Sequence, residues 1–171
     1  NNSIESLLEW NIIAPIAPGP ISDIAFPVVE NSRMRCSEPD YKTILPPMMA
    51  RRMSVILKRS VSSALMCLKQ AGVEKPDAIV VGTGLGCIED TEKFSTSIIQ
   101  NNETTLNPTP FIQSTHNAIA AQIALIQKCT GYNFTYVHRG LSFESALLDS
   151  CMLLNEKAAT TVLLGGADEL T

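Results

Sequence analysis

Histidine is nearly absent from this chain: His116 and His138 are the only two among 171 residues, and no cysteine makes a C-x-x-C pair or sits at ligand spacing from a histidine. A closed zinc site needs about four such ligands at short spacing, so no metal is expected. Long apolar runs are missing too. No stretch approaches the roughly 18 residues of a membrane span, and residues 1–30 lack the basic-then-apolar order of a secretory leader. The expectation is a cytoplasmic protein with no membrane partner. Positive charge is also scarce, with 13 Lys and Arg against 17 Asp and Glu and a net charge of −4. Binding along phosphate backbones needs clustered cations, so no nucleic-acid partner is expected. The one basic cluster, Arg51-Arg52 with Lys58-Arg59, reads as a solvated helix face. The cysteines are odd in number and scattered, at Cys36, Cys67, Cys87, Cys129 and Cys151. That suits a reducing compartment, and each reads as a small buried hydrophobe.

What remains is the material of one globular unit, with 45% apolar and 18% charged residues, read as a single domain over 1–171. Residues 11–29 carry short apolar runs cut by Pro15, Pro18 and Pro20, which allow at most short or edge strands. From Pro46-Pro47, apolar residues recur at intervals of three and four through Leu68, which predicts one long amphipathic helix closed by Gly72. The stretch DAIVVGTGLG reads as a buried strand entering a glycine loop, and Glu89 to Ile99 as a helix broken by NNETTLNPTP. A further helix, capped by Ser114, Thr115 or Asn117, runs through Ile119, Ile123 and Ile126 to Gly131. NFTYVHR reads as a strand, LSFESALLDSCMLLNEKA as a helix apolar on nearly every side and therefore buried, and TTVLLGG as a strand buried on both faces. The alternation of strands and helices predicts an α/β fold with mostly parallel pairing and right-handed crossovers.

Ligands of such sheets bind at the strand ends, where three candidates stand. Gly82-Thr83-Gly84-Leu85-Gly86 invites a nucleotide reading, yet it matches neither G-x-G-x-x-G nor a P-loop, and no cofactor is expected. Gly140-Leu141-Ser142-Phe143-Glu144 is one glycine short of a nucleophile elbow. There Ser142 is a candidate nucleophile with His138 as its base, while capping a helix is the commoner task of a serine in that place.

Three stretches together resemble the N-terminal domain of a β-ketoacyl synthase, a condensing enzyme of the thiolase-like superfamily. They are PPMMARRMSVILKRSVSSALMCLKQAG, then VVGTGLGCIEDTEKF with PTPFIQSTHNAIAAQIAL, and GYNFTYVHRGLSFESALLDSCMLL with VLLGGADE. The resemblance is clearest over residues 44–169, and it is closest to the ketoacyl-synthase-like domains of bacterial pigment and aryl-polyene clusters. It implies a thiolase-like half-fold, an α/β arrangement whose mixed, mostly parallel sheet is covered by helices. In that family the nucleophile strand runs into Asp-Thr-Ala-Cys, and the cysteine takes an acyl chain from a carrier protein. Matching Gly131 and Thr135 to the family's glycine and threonine puts Val137, His138, Arg139 and Gly140 at those four places. The nucleophile position is Gly140, and the stretch that resembles the family also lacks the two basic residues supplied by its second half.

The resemblance therefore implies a relative of fatty-acid or polyketide synthases without a condensing activity of its own. Its expected place is that of a partner or chain-length-factor-like subunit, as a homodimer or beside an active ketosynthase, with an acyl carrier protein as a further partner. Family dimers join through the strand before the nucleophile, here Asn133, Phe134, Thr135, Tyr136, Val137, His138 and Arg139. In the whole fold the helix after the turn lies between two halves, so Leu147, Leu148 and Met152 would meet water in a lone half unless something covers them. Two alternatives stand beside this reading: an acyltransferase using Ser142, and a pure interaction module in which His138 pairs with Glu144 or with a partner's carboxylate.

Overall fold

In a computed structural model of the chain, which describes residues 38–104 and 106–169, three parallel strands form one sheet in the order β2-β1-β3. The central strand β1, Ala78–Thr83, is buried along its whole length, as a continuous AIVVGT run demands. It pairs with β2, Tyr132–Val137, from Ala78 opposite Tyr132 to Thr83 opposite Val137. On its other side lies β3, Val162–Gly166, with Gly82 opposite Gly166. Because every strand runs the same way, Thr83, Val137 and Gly166 end on one crest of the sheet. The residues expected to form strands within 11–29 lie outside the described residues.

Two layers of helix enclose the sheet. On one face lie α3, Val55–Gln70, and α6, Ala118–Gln127. Their buried Leu57, Val61, Ile119 and Ile123 close over Ile79, Val81 and Leu163 to form the hydrophobic core. On the other face lies α7, Ser142–Asn155, packed against all three strands. The short helices α1, Tyr41–Ile44, and α2, Pro47–Ala50, precede α3. Between β1 and α6 come α4, Ile88–Gln100, and α5, Pro108–Gln113.

The single helix expected from Pro46 is divided. It breaks at Arg51–Arg52, with Met53 tucked into the core at 7% exposure and Ser54 extended at φ −64°, ψ 171°, before α3 begins. Gly72 does close α3, in the left-handed region at φ +66°, and the Val73 N–H returns to the Leu68 carbonyl. Helix α6 stops earlier than expected, at a left-handed Lys128 (φ +52°). Gly131 instead opens β2, where a Cβ would collide with the Asp77 carbonyl oxygen. Strand β3, expected to be buried on both faces, is fully buried only at Leu163, and among the described residues it is an edge strand.

The expectation of an all-round buried α7 is also corrected. Ser142, Ala146 and Ser150, four residues apart, face the sheet and are buried, whereas Leu148 is 63% and Met152 48% exposed. Small residues on the inner face let the helix sit close to the strands. At Gly82 a Cβ would come within 2.7 Å of the Ser142 carbonyl oxygen, so that close approach requires glycine there.

A candidate active-site turn at the strand crest

Strand β2 leaves the sheet at Val137 and turns through His138, Arg139, Gly140 and Leu141 into α7. A single 3-10 turn, Arg139–Leu141, makes the link. Ser142 holds the turn shut. Its Oγ accepts the His138 backbone N–H at 2.8 Å, and its hydroxyl donates to the Arg139 carbonyl at 2.8 Å. At 3% exposure this hydroxyl has no open side toward solvent. The imidazole of His138 is exposed, so the hydroxyl meets the backbone amide of His138 and the structure shows no hydrogen bond from Ser142 to its ring.

Arg139 stands in the left-handed region at φ +49°, an unfavourable place for a side chain with a Cβ. Gly140 beside it does not: its φ lies outside that region, and a Cβ built on it would meet no atom within 4 Å. Nothing in the backbone or its neighbours demands a glycine at the tip. The tip of the turn at the start of α7 thus has room for a side chain larger than glycine's.

The cysteines lie elsewhere. Cys87 is wholly buried at the start of α4, where burial first, and then the carboxylates of Asp90 and Glu169, push its thiol up to about 12. Burial also raises Cys67 and Cys129, and Cys151 is half-buried within α7. A reactive thiol needs a lowered pKa and an approach path, and Cys87 has neither. Cys36 lies outside the described residues.

The neighbouring glycine loop is filled by residues that sequence reasoning left out. Asp168 Oδ1 accepts the Gly84 N–H at 2.5 Å, and Glu169 Oε2 accepts the Glu89 N–H at 2.8 Å. The Thr83 hydroxyl, itself fully buried, accepts the Gly86 N–H at 2.9 Å. Amides that a phosphate would use are thus held by the chain's own carboxylates, which also repel an anion. The signal was present in GGADE: two acids immediately beyond a strand whose end abuts a glycine loop. His116 lies against Gly86, and the described residues contain no group of three potential metal ligands.

Strand β2 is an edge strand, hydrogen-bonded to β1 alone among the described strands. Its alternate residues Tyr132, Phe134 and Tyr136 form an aromatic ladder on the α7 side, with ring centroids 6.1 and 4.9 Å apart. The Tyr132 hydroxyl donates to Asp149 of α7 at 3.0 Å. Burial, helped by that carboxylate, pushes the phenol up to about 12. Asn133 points the other way and donates to the Ala120 carbonyl of α6 at 3.1 Å, beside Thr135 and Val137. Glu144 makes no ion pair with His138 in this arrangement.

The sequence pattern described as β-ketoacyl synthase, N-terminal domain, matches residues 30–171. Among solved structures, the chain is similar to the ketosynthase ApeO in complex with its chain length factor ApeC from Xenorhabdus doucetiae. It is 24% identical, with a TM-score of 0.60, over 74% of this chain and 51% of that one. It is also similar to the ishigamide ketosynthase/chain length factor, at 20% identity and a TM-score of 0.66, over 77% of this chain and 39% of that one. The chain thus spans about half or less of the chains it matches. No curated protein matches it.

Proposed function

This chain belongs to the family of β-ketoacyl synthase N-terminal domains, and from that premise we propose that it is a non-condensing member acting as a partner subunit, in the manner of a chain length factor, in polyketide-type or fatty-acid assembly. One observation carries the reading. The turn onto which the resemblance lays the family's nucleophile leads into α7, and at its tip stands Gly140, where a Cβ would meet no atom within 4 Å. A condensing reaction begins with a thiolate attacking an acyl thioester, and this turn offers no thiol to attack with.

Two surfaces support a partner. The outer side of α7 presents Leu148 and Met152 to solvent, and Leu141 and Phe143 at its start are 56% and 44% exposed. Adjoining apolar side chains of this kind are the mark of an interaction surface. Among the described residues no strand pairs with the outer edge of β2 over Asn133–Val137, so that edge is a template for a second strand. On this proposal a ketosynthase with its cysteine supplies the chemistry and pairs along that edge, and the solved relatives named above are themselves complexes of a ketosynthase with a chain length factor.

The test has two arms. Co-expression with a ketosynthase should give a stable heterodimer that Thr135→Pro, which puts a proline in mid-strand, disrupts. Incubation of the chain alone with an acyl-carrier thioester should leave its intact mass unchanged. An acyl adduct that disappears in Ser142→Ala would overturn the proposal in favour of a serine acyltransferase. The two hydrogen bonds that hold Ser142 into the turn argue for the structural role of that hydroxyl.

A further inference from the structure

Helix α4 buries one residue only, and that residue is a carboxylate: Asp90, at 4% exposure. Among the described residues its Oδ2 has no hydrogen-bond partner. Neither has the buried Oε1 of Glu169, a residue that is otherwise half-buried just beyond β3. The two carboxylates belong to one cluster. Glu169 Oε2 accepts the N–H of Glu89, the residue before Asp90, and both acids act on the same two groups, the buried Cys87 thiol and the Lys93 ammonium.

A buried carboxylate oxygen with neither a donor nor a counter-charge is costly. Lys93 does not supply the charge, because its ammonium is bonded to Glu89 at 2.5 Å. Asp168 adds a further acid beside the glycine loop, where it accepts the Gly84 N–H. Glu89, Asp90, Asp168 and Glu169 thus gather around the start of α4 with Lys93 as their one neighbouring ammonium. The positive end of the helix dipole favours acids at this turn, but it places no atom against Asp90 Oδ2.

We infer that Asp90 and Glu169 hold a magnesium ion at the first turn of α4. Carboxylate oxygens select a hard cation, and the thiolate and imidazole ligands whose spacing excluded zinc are not the ones magnesium uses. No three protein ligands meet at one point among the described residues, which matches the usual way of holding magnesium, by one or two carboxylates with water in the other positions. Calcium, which takes roughly six to eight oxygens, is served less well. Glu89 and Asp168 are exposed, so the cluster opens to solvent on their side. A bound ion would tie α4 to the segment after β3. That strand lies across β1 from β2, so the inference does not depend on pairing along the β2 edge.

Thermal melts of the full chain in rising magnesium chloride, at an ionic strength held constant with sodium chloride, should show a Tm that climbs and saturates. Asp90→Asn and Glu169→Gln should each weaken magnesium binding by about tenfold or more, since even the outer-shell partners of a bound metal cost about that much. Glu156→Gln, at the far end of α7, should leave it unchanged. Manganese, used as a paramagnetic stand-in on the wild type, should broaden the amide signals of residues 88–91 and 168–169 first, a readout that does not rest on the stability of a variant. No saturable shift with magnesium would overturn the inference, as would a shift kept in full by both variants or broadening centred elsewhere. A larger shift with calcium would overturn the assignment to magnesium.

Discussion

The two faces of the sheet are built on different plans. Against α3 and α6 the contact is made by large aliphatic side chains: Leu57 and Val61 are 0% exposed and Ile119 1%. Against α7 it is made by small ones, Ser142, Ala146 and Ser150, meeting a glycine at Gly82. Large side chains keep a helix away from the strands and bury apolar area in the gap. Small ones bring the backbone close and leave the helix's larger residues pointing outward. The first face is a finished core. The second ends in Leu148 and Met152, over which no described part of the chain lies.

Four changes would break or sharpen this contrast, from the largest effect to the smallest. Leu57→Ala opens a cavity in the finished core and should cost about 2–5 kcal/mol in denaturant unfolding. Gly82→Ala tests the close approach on the other face. Its Cβ would sit 2.7 Å from the Ser142 carbonyl and 2.8 Å from Phe143 Cα, backbone atoms that cannot swing aside, so a loss of about 1–3 kcal/mol is expected. Gly140→Ala on the same turn meets no atom and should stay within about 0.5 kcal/mol, which would confirm that glycine is not required by the fold there.

Leu148→Ala should likewise leave the stability of the lone chain within about 0.5 kcal/mol, since its side chain is already in water. The same change should weaken pairing with a ketosynthase if the open face is a contact surface. A loss in the chain alone as large as that of Leu57→Ala would erase the distinction between the two faces.

The opposite end of the sheet offers a test by pH. Asp77 Oδ2 accepts from the backbone amides and the hydroxyls of both Thr160 and Thr161, at 2.5 to 3.1 Å, tying the start of β1 to the start of β3. These bonds, the Thr160 hydroxyl first, hold its carboxyl down to about 2 from 3.8. A folded pKa below the unfolded one gives stability that is full above 3.8 and is lost as pH falls through about 2. Asp77→Asn should flatten that acid limb in a series of melts across the range. An unchanged limb would mean that other carboxylates set it.

Much of the fold could be read along the chain. The alternation of β1, α4, α6, β2, α7 and β3 followed from apolar periodicity, because strand and helix repeats of two and 3.6 residues are properties of local sequence. The break between α2 and α3 could not be read, since Met49, Met53 and Ile56 keep helical spacing across it. Only the burial of Met53 and the hold of Gln113 on Arg52 decide that the chain turns there. The burial of α7 was overread for a related reason. Composition says that a helix is apolar on nearly every side, but which side is covered depends on what the rest of the chain brings to it.

The candidate turn divides in the same way. By itself the sequence placed Gly140 at the tip between a β-branched strand and an apolar helix, for the absence of a thiol is a matter of residue identity and needs no coordinates. Only the tertiary structure could say that Gly140 is unconstrained while Gly82 is not, that the Ser142 hydroxyl is used up holding the turn, and that Asp168 and Glu169 fill the glycine loop. The physical reason is distance along the chain. Asp168 meets Gly84 across 84 residues, and no local pattern encodes which far segment will arrive to satisfy an exposed amide.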